Sequence, residues 1–342
     1  MAANVLGAIA GSARVGRYFT VVSALPSAVF VSYVYLLLES GAWSGPVRFD
    51  EAVHGLDLQA GLVLALLSFT AAVALHPLQY TLIQLLEGYW GRSVLGRGLA
   101  YLRTRHHQNV IAALDADIRG AGPAPPPHLA DPALAAGIAR REARRLRVSY
   151  PYHVAEALPT RLGNVLRRYE VDSGEPYGIN VVRAVPRVGM VAGDRELGYV
   201  TDQRTQLELA VRVAFLGMVA AVVTAGVMWR HGVWLLLALV PYTVAYLAYR
   251  GAVTAANEYG TALTVMIELN RFALYERFHL KPPNSLDEER ELNRYLMTLL
   301  GSSVPEIDRD LRYEHPTPVM PVLLPDSTGG GGASGGLAGG EG

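Results

Sequence analysis

The chain has 342 residues, of which 51% are hydrophobic and only 18% charged, and its formal net charge is zero. That balance is ordinary for a polytopic membrane protein and unusual for a soluble domain. Cysteine is absent, which excludes disulfides, thiolate metal sites, iron–sulfur clusters and a cysteine nucleophile. The single lysine, Lys281, follows Leu280, so there is no Gly-Lys-Ser/Thr phosphate-binding loop.

In chain order, an arm over residues 1–17 leads to a first apolar run from Tyr18 to Leu38. A membrane span needs roughly 20 apolar residues to cross about 30 Å of hydrocarbon. This run meets that length, exceeds the core of a cleaved signal peptide, and has no small-x-small site after it in "LESGAWSG". It is therefore expected to stay in place. A second span is predicted from Gly61 to Tyr80, a third from Leu209 to Trp229, and a fourth from Val233 to Tyr249. Only Arg230, His231 and Gly232 separate the last two, which calls for a tight turn. The predicted fold class is all-α: a polytopic membrane protein of two transmembrane helical hairpins, residues 18–90 and 206–249, with a mostly helical cytoplasmic region.

Arginine placement orients the spans. Arg14 and Arg17 precede the first, Arg92, Arg97, Arg103 and Arg105 follow the second, and Arg250 closes the fourth. The loop after the first span has only Arg48 against Glu39, Asp50, Glu51 and Asp57. Both termini are thus expected in the cytoplasm, with the protein in the plasma membrane.

The basic cytoplasmic segment, residues 91–205, carries 17 arginines and 11 acidic residues, a net charge of +6. Helical patterning runs from about Val94 to Ile118, and "AGPAPPP" interrupts it. Asp131 before Pro132 is a helix start that ends in "ARREARRLR"; Thr160 is positioned to cap a further helix in "PTRLGNVLRRYE", and "VDSGEPYG" reads as a turn. So short and Arg-rich a segment promises no large core of its own. Beyond the fourth span, apolar residues keep recurring every three or four positions until Pro282 and Pro283, so that helix is expected to continue into the cytoplasm within residues 250–315. Ser285 and Glu288 form a capping box for a last helix ending at Gly301, and residues 316–342 are a Gly-rich tail expected to be disordered.

Polar residues in or near spans are the candidate functional groups. His76, Gln79, Gln84 and Glu87 fall on one arc if "HPLQYTLIQLLEGYWG" is a single helix, at about 100° per residue. One reading makes them pore-lining, with Glu87 at the cytoplasmic mouth. The other has the helix leaving the hydrocarbon near Pro77, with Tyr89 and Trp90 as interface anchors. Glu208 and Arg212, four apart, form a gate or a satisfied pair at the membrane boundary. Arg140, Arg141, Arg144, Arg145 and Arg147 are candidates for binding anionic lipid headgroups or an acidic cytosolic partner, a solvated helix face being the plain alternative. No aromatic interleaving or nucleic-acid motif accompanies them, so no nucleic acid is expected.

Enzyme signals lack their structural context. "GASGG" matches a nucleophile elbow only inside the glycine tail, and "GSARVG" has the wrong glycine order for a dinucleotide. Adjacent His106 and His107 point apart on a helix, with no carboxylate at ligand spacing, so neither metal nor cofactor is expected.

"QLLEGYWG", "PTRLGNVLRRYE…YGI" and "RFALYERFHL" together resemble a group of uncharacterised bacterial multi-pass membrane proteins, over most of residues 60–300. The resemblance implies the topology and no activity. The reading of the whole is a non-enzymatic, homo-oligomeric channel or pore gated by its cytoplasmic helices. Its rivals are a membrane-anchored scaffold for cytosolic partners and a membrane-permeabilising stress or defence effector.

Overall fold

The structure, a computed structural model, describes residues 19–43, 45–91, 93–122, 131–301 and 313. Arg14, Arg17, Arg92, most of the proline linker and the glycine tail lie outside the described residues. Eleven α-helices account for most of what is described: α1 Leu25–Glu39, α2 Phe49–His54, α3 Leu58–Leu75, α4 Gln79–Glu87, α5 Val94–Arg119, α6 Pro132–Arg147, α7 Arg161–Asp172, α8 Val181–Val191, α9 Asp194–Met228, α10 Leu239–Arg277 and α11 Leu286–Gly301. Among the described residues there is no strand, only an isolated bridge between Leu280 and Tyr313.

Four of these segments are long and apolar enough to cross a membrane: Val22–Glu39, Leu58–Leu75, part of α9, and part of the run Gly232–Arg277. They support a multi-pass, membrane-embedded protein. The second is displaced from its expected bounds. Asp57 starts α3 early by accepting a 2.7 Å hydrogen bond from the Ala60 amide. Pro77 stops it at Leu75, because a proline disfavours helical backbone in the residue before it and has no N–H to donate. The fourth begins as a 3₁₀ turn, Gly232–Ala238, and becomes α-helical just ahead of Pro241. It then runs as expected, unbroken, to Arg277.

The two longest helices pair along their lengths. At about 1.5 Å per residue, the 35 residues of α9 and the 39 of α10 extend over about 52 and 58 Å, well beyond a bilayer core. Their contact uses small residues: a Cβ added to Gly217 would lie 3.1 Å from Ala245 and from the Pro241 carbonyl. Close backbone approach of this kind is how apolar helices associate without a hydrophobic driving force. At the far end, α1 joins them: Tyr33 shares a 2.7 Å hydrogen bond with Thr224, and the His231 Nε2 lies 2.7 Å from the Ala42 carbonyl.

At the opposite ends of α9 and α10 the fold departs from a simple split into membrane and cytoplasmic parts. Val181, Ala184, Val185 and Val188 of α8 are buried at helical spacing against Val200 of α9, Met266 and Ile267 of α10, and Leu296 of α11. This is a substantial core, made by combining residues on both sides of the membrane segments in sequence. The basic segment does not need a core of its own because α9 and α10 supply half of it.

The expected caps are present. Asp131 accepts from the Ala133 and Leu134 amides, and Thr160 from that of Gly163. Ser285 caps through the Glu288 amide, although the Glu288 carboxylate reaches the Asn284 amide instead of closing back on Ser285. α10 ends in a six-to-one bond from the Leu280 amide to the Tyr275 carbonyl, with His279 at φ 53° in the left-handed position usually taken by glycine.

Candidate functional site at the membrane boundary

The break at Pro77 places Gln79 at the head of α4, facing α9. Gln79 and Arg212 are buried, Arg212 completely. The Gln79 amide nitrogen donates to the Glu208 carbonyl at 2.9 Å, while its Oε1 accepts from Arg212 Nε at 2.9 Å and Nη2 at 2.6 Å. Arg212 Nη2 also lies 3.4 Å from the Leu75 carbonyl at the end of α3, which accepts from the Leu78 amide in the break as well. One turn away, the buried Glu208 carboxylate accepts from Arg204 Nε at 2.7 Å. The result is a polar ladder along one face of α9, at residues 204, 208 and 212, tied by Gln79 to the chain break between α3 and α4. Leu82, Leu162, Leu207 and Val211 belong to the apolar cluster at the same level.

The four residues predicted to share one arc are therefore distributed differently. His76 is exposed within the break, Gln79 is engaged inside the chain, and Gln84 and Glu87 are half-buried on α4. Arg212 and Glu208 meet Gln79 through a side chain and a carbonyl respectively, a linkage across 133 and 129 residues that spacing along α9 alone does not disclose.

The end of α4 docks on the start of α7 with almost no space. Gly88, at φ 105°, ends α4; a Cβ there would meet the Pro159 ring at 2.9 Å. A Cβ on Gly163 would come within 2.2 Å of the Glu87 carbonyl oxygen. Asn164, fully buried, locks the approach by donating to the Leu158 and Thr160 carbonyls and accepting from the Leu158 amide at 2.9 Å. So "QLLEGYWG" and "PTRLGN", 68 or more residues apart, are the two sides of one contact. Burial, with Glu170 nearby, pushes the Glu87 carboxyl up to about 7.

A second polar cluster lies where α10 meets α11. Glu289 accepts from Arg271 Nε at 2.8 Å and from the Tyr275 hydroxyl at 2.9 Å. Asn293 Nδ2 donates to that same hydroxyl at 2.6 Å and to the Tyr177 carbonyl at 2.8 Å. Arg271 stacks 4.4 Å over the Tyr177 ring. Glu289, Asn293 and Tyr275 are all buried, and burial holds the Tyr275 phenol well above its ordinary pKa. Again two quoted segments, "YGI" and "RFALYERFHL", face each other. Nothing local in the sequence marks Arg271, Tyr275, Glu289, Asn293, Asn164 or Arg204; their partners are remote or lie in turns, and composition carries no sign of them.

The arginine run on α6 divides. Arg140, Arg141, Arg144 and Arg145 are exposed. Arg147 is turned inward, donating to Asp115 at 2.8 Å and to the Tyr150, Pro151 and Tyr152 carbonyls, so it holds α6 on α5. His107 packs beside it, its Nδ1 3.2 Å from the Tyr150 hydroxyl, and burial together with Arg103 lowers its pKa to about 4. Among the described residues no group of three or more His, Asp or Glu is arranged to hold a metal ion.

No protein-family model matches the chain, and no curated protein or solved structure is significantly similar to it. The arrangement itself defines the class: helices suited to a membrane, joined without interruption to a helical bundle through a buried polar layer.

Proposed function

We propose that this is a non-enzymatic plasma-membrane protein that, as a homo-oligomer, forms a regulated permeation path, with its cytoplasmic bundle setting whether the path is open. The observation that carries this reading is the continuity of α9 and α10. Each runs from the apolar segment into the bundle as one helix, and the boundary layer of Gln79, Arg204, Glu208 and Arg212 clamps α4 to α9 at the transition. A rigid element shared by two regions transmits displacement between them, whereas a scaffold needs only a flexible tether. The two-hairpin topology with cytoplasmic termini, and the resemblance to uncharacterised bacterial multi-pass proteins, belong to the same proposal. So do the exposed arginines of α6, which would bind anionic headgroups at the inner surface, each contributing on the order of 1 kcal/mol.

The absence of native cysteine permits a direct test. Ser173 on the loop after α7 and Thr264 on α10 share a 2.8 Å hydrogen bond between their hydroxyls. The pair Ser173→Cys and Thr264→Cys is placed to form a disulfide that fixes the bundle. In liposomes loaded with potassium chloride, the reduced protein is expected to release ions faster than empty liposomes. Oxidation is expected to slow release at least fivefold, reversibly with reductant. Absence of release in both states, across voltage, pH and lipid composition, would remove the permeation reading and leave the scaffold.

A further inference from the structure

α10 presents an outward row that the rest of its own chain leaves exposed, although Thr261 on it is hydrogen-bonded to Tyr169 of α7. In the apolar half Val240, Val244 and Leu247 lie on this row, each at least 46% exposed, as are Leu239, Tyr242 and Tyr246 off it. It continues through positions 251, 254, 258 and 261 to Val265, and then to Leu269 at 66% and Phe272 at 48% exposure. Spacing alternates four and three from 240 to 265, with one additional four-residue step to 269. At about 100° per residue the whole row stays within an arc of about 100°. Between residues 251 and 276, every exposed residue of α10 lies on this row.

An alternation of four and three is the period of helix-on-helix packing, in which one residue row seats against a neighbouring helix. Its two ends, Val240 to Leu247 and Val265 to Phe272, are apolar and so unlike a solvated face, while Gly251, Thr254, Glu258 and Thr261 between them are small or polar. Leu269 lies about 28 Å along the helix beyond Arg250, at about 1.5 Å per residue, with Glu268 and Arg271 beside it in the chain, so lipid does not cover it. A soluble partner, conversely, does not reach Val240. One occupant matches both halves: a second membrane protein carrying an equally long helix in the same orientation. Copies of this chain in one bilayer share orientation, and each offers the same row.

We propose that the outward row of α10 is the contact between copies of this chain, with Val265, Leu269 and Phe272 forming its apolar footing beyond the bilayer. This deepens the oligomeric permeation reading, but it stands on a different measurement. The contact also brings together the Glu258 carboxylates of neighbouring copies, flanked one turn away on each side by Thr254 and Thr261. Like-charge repulsion between these carboxylates opposes close association at that level.

The test is single-cysteine cross-linking of the full-length protein in native membranes. Leu269→Cys and Phe272→Cys are expected to give at least tenfold more disulfide dimer on oxidation than Met190→Cys on α8 or Tyr199→Cys on α9, both of which are exposed away from the row. Adding Glu258→Gln is expected to raise the Leu269→Cys yield several-fold. Equal yields at row and control positions, or none at the row, would overturn the proposal. Cross-linking without ion release supports this contact while sinking the permeation reading, and release without cross-linking at the row sinks the contact alone.

Discussion

α3 and the apolar part of α9 are alike in length and hydropathy, yet only 6% of α3 is buried inside the chain against 50% of the apolar part of α9. Hydropathy places both in a membrane and does not say which one faces protein. Side-chain size does. α9 carries Gly217, Ala220, Ala221 and Thr224 toward its neighbours, while α3 turns Leu62, Leu66 and Phe69 outward. Lipid is as apolar as leucine, so a buried membrane helix gains from close packing of small residues and from hydrogen bonds, not from added hydrophobicity. α9 is thus the central post of the fold, and α3 is a peripheral helix whose chief contribution is the break at its end.

The largest effect is expected at the polar ladder. Arg212→Leu strands the Gln79 Oε1 in a buried layer and should cost about 3 kcal/mol in chemical unfolding of the micelle-bound protein. The double variant with Gln79→Leu should recover at least about 1 kcal/mol of that loss, because the stranded acceptor is then removed as well. Additive costs would show that the two side chains act separately.

Next in size is the crossing of α7 on α10. A Cβ at Gly260 would sit 2.1 Å from the Tyr169 ring, which is itself tied to Thr261 by a 3.1 Å hydrogen bond. Gly260→Leu should therefore cost about 1–3 kcal/mol by overpacking. Leu66→Ala on α3, 66% exposed, should change stability by less than about 0.5 kcal/mol. A comparable loss at Leu66 would mean that α3 is covered in the assembled protein, and would make it part of an interface between copies.

Glu87 sharpens the comparison by pH. Its folded-state pKa of about 7 is above the ordinary 4.5, so the folded protein holds this proton more tightly than the unfolded chain. The associated stability is complete below about pH 4.5, declines as pH rises toward about 7, and is lost above it. Melting temperature should fall over that window, and Glu87→Gln should flatten its share of the fall. An unchanged slope in the variant would place the titration elsewhere.

Much of this fold could be read from residues along the chain. Asp131, Thr160 and Ser285 announce helix starts because a cap acts on amides two or three positions away, and the continuation of α10 follows from the lack of proline between Pro241 and Pro282. What escaped depends on distance. Pro77 signals a break, but nothing near it reveals that Gln79 is claimed by Arg212, so a helix drawn through His76 to Glu87 joins His76 to three residues of α4 from which the break separates it. α8 also escaped: Val181, Ala184, Val185 and Val188 recur at helical spacing, but Pro186, Arg183 and Arg187 among them disguise it. The candidate site suffers most, since the Gly163–Glu87 and Asn293–Tyr177 approaches are created only by tertiary packing.

The central claim is that α9 and α10 carry one rigid connection from the apolar region to the bundle. Amide hydrogen exchange of the intact protein in lipid nanodiscs tests it most directly. Protection is predicted to run without a gap through residues 207–228 of α9 and 245–267 of α10, crossing the level of Arg250. Fast exchange confined to residues 248–258, with protection on both sides, would show a hinge there and contradict the account.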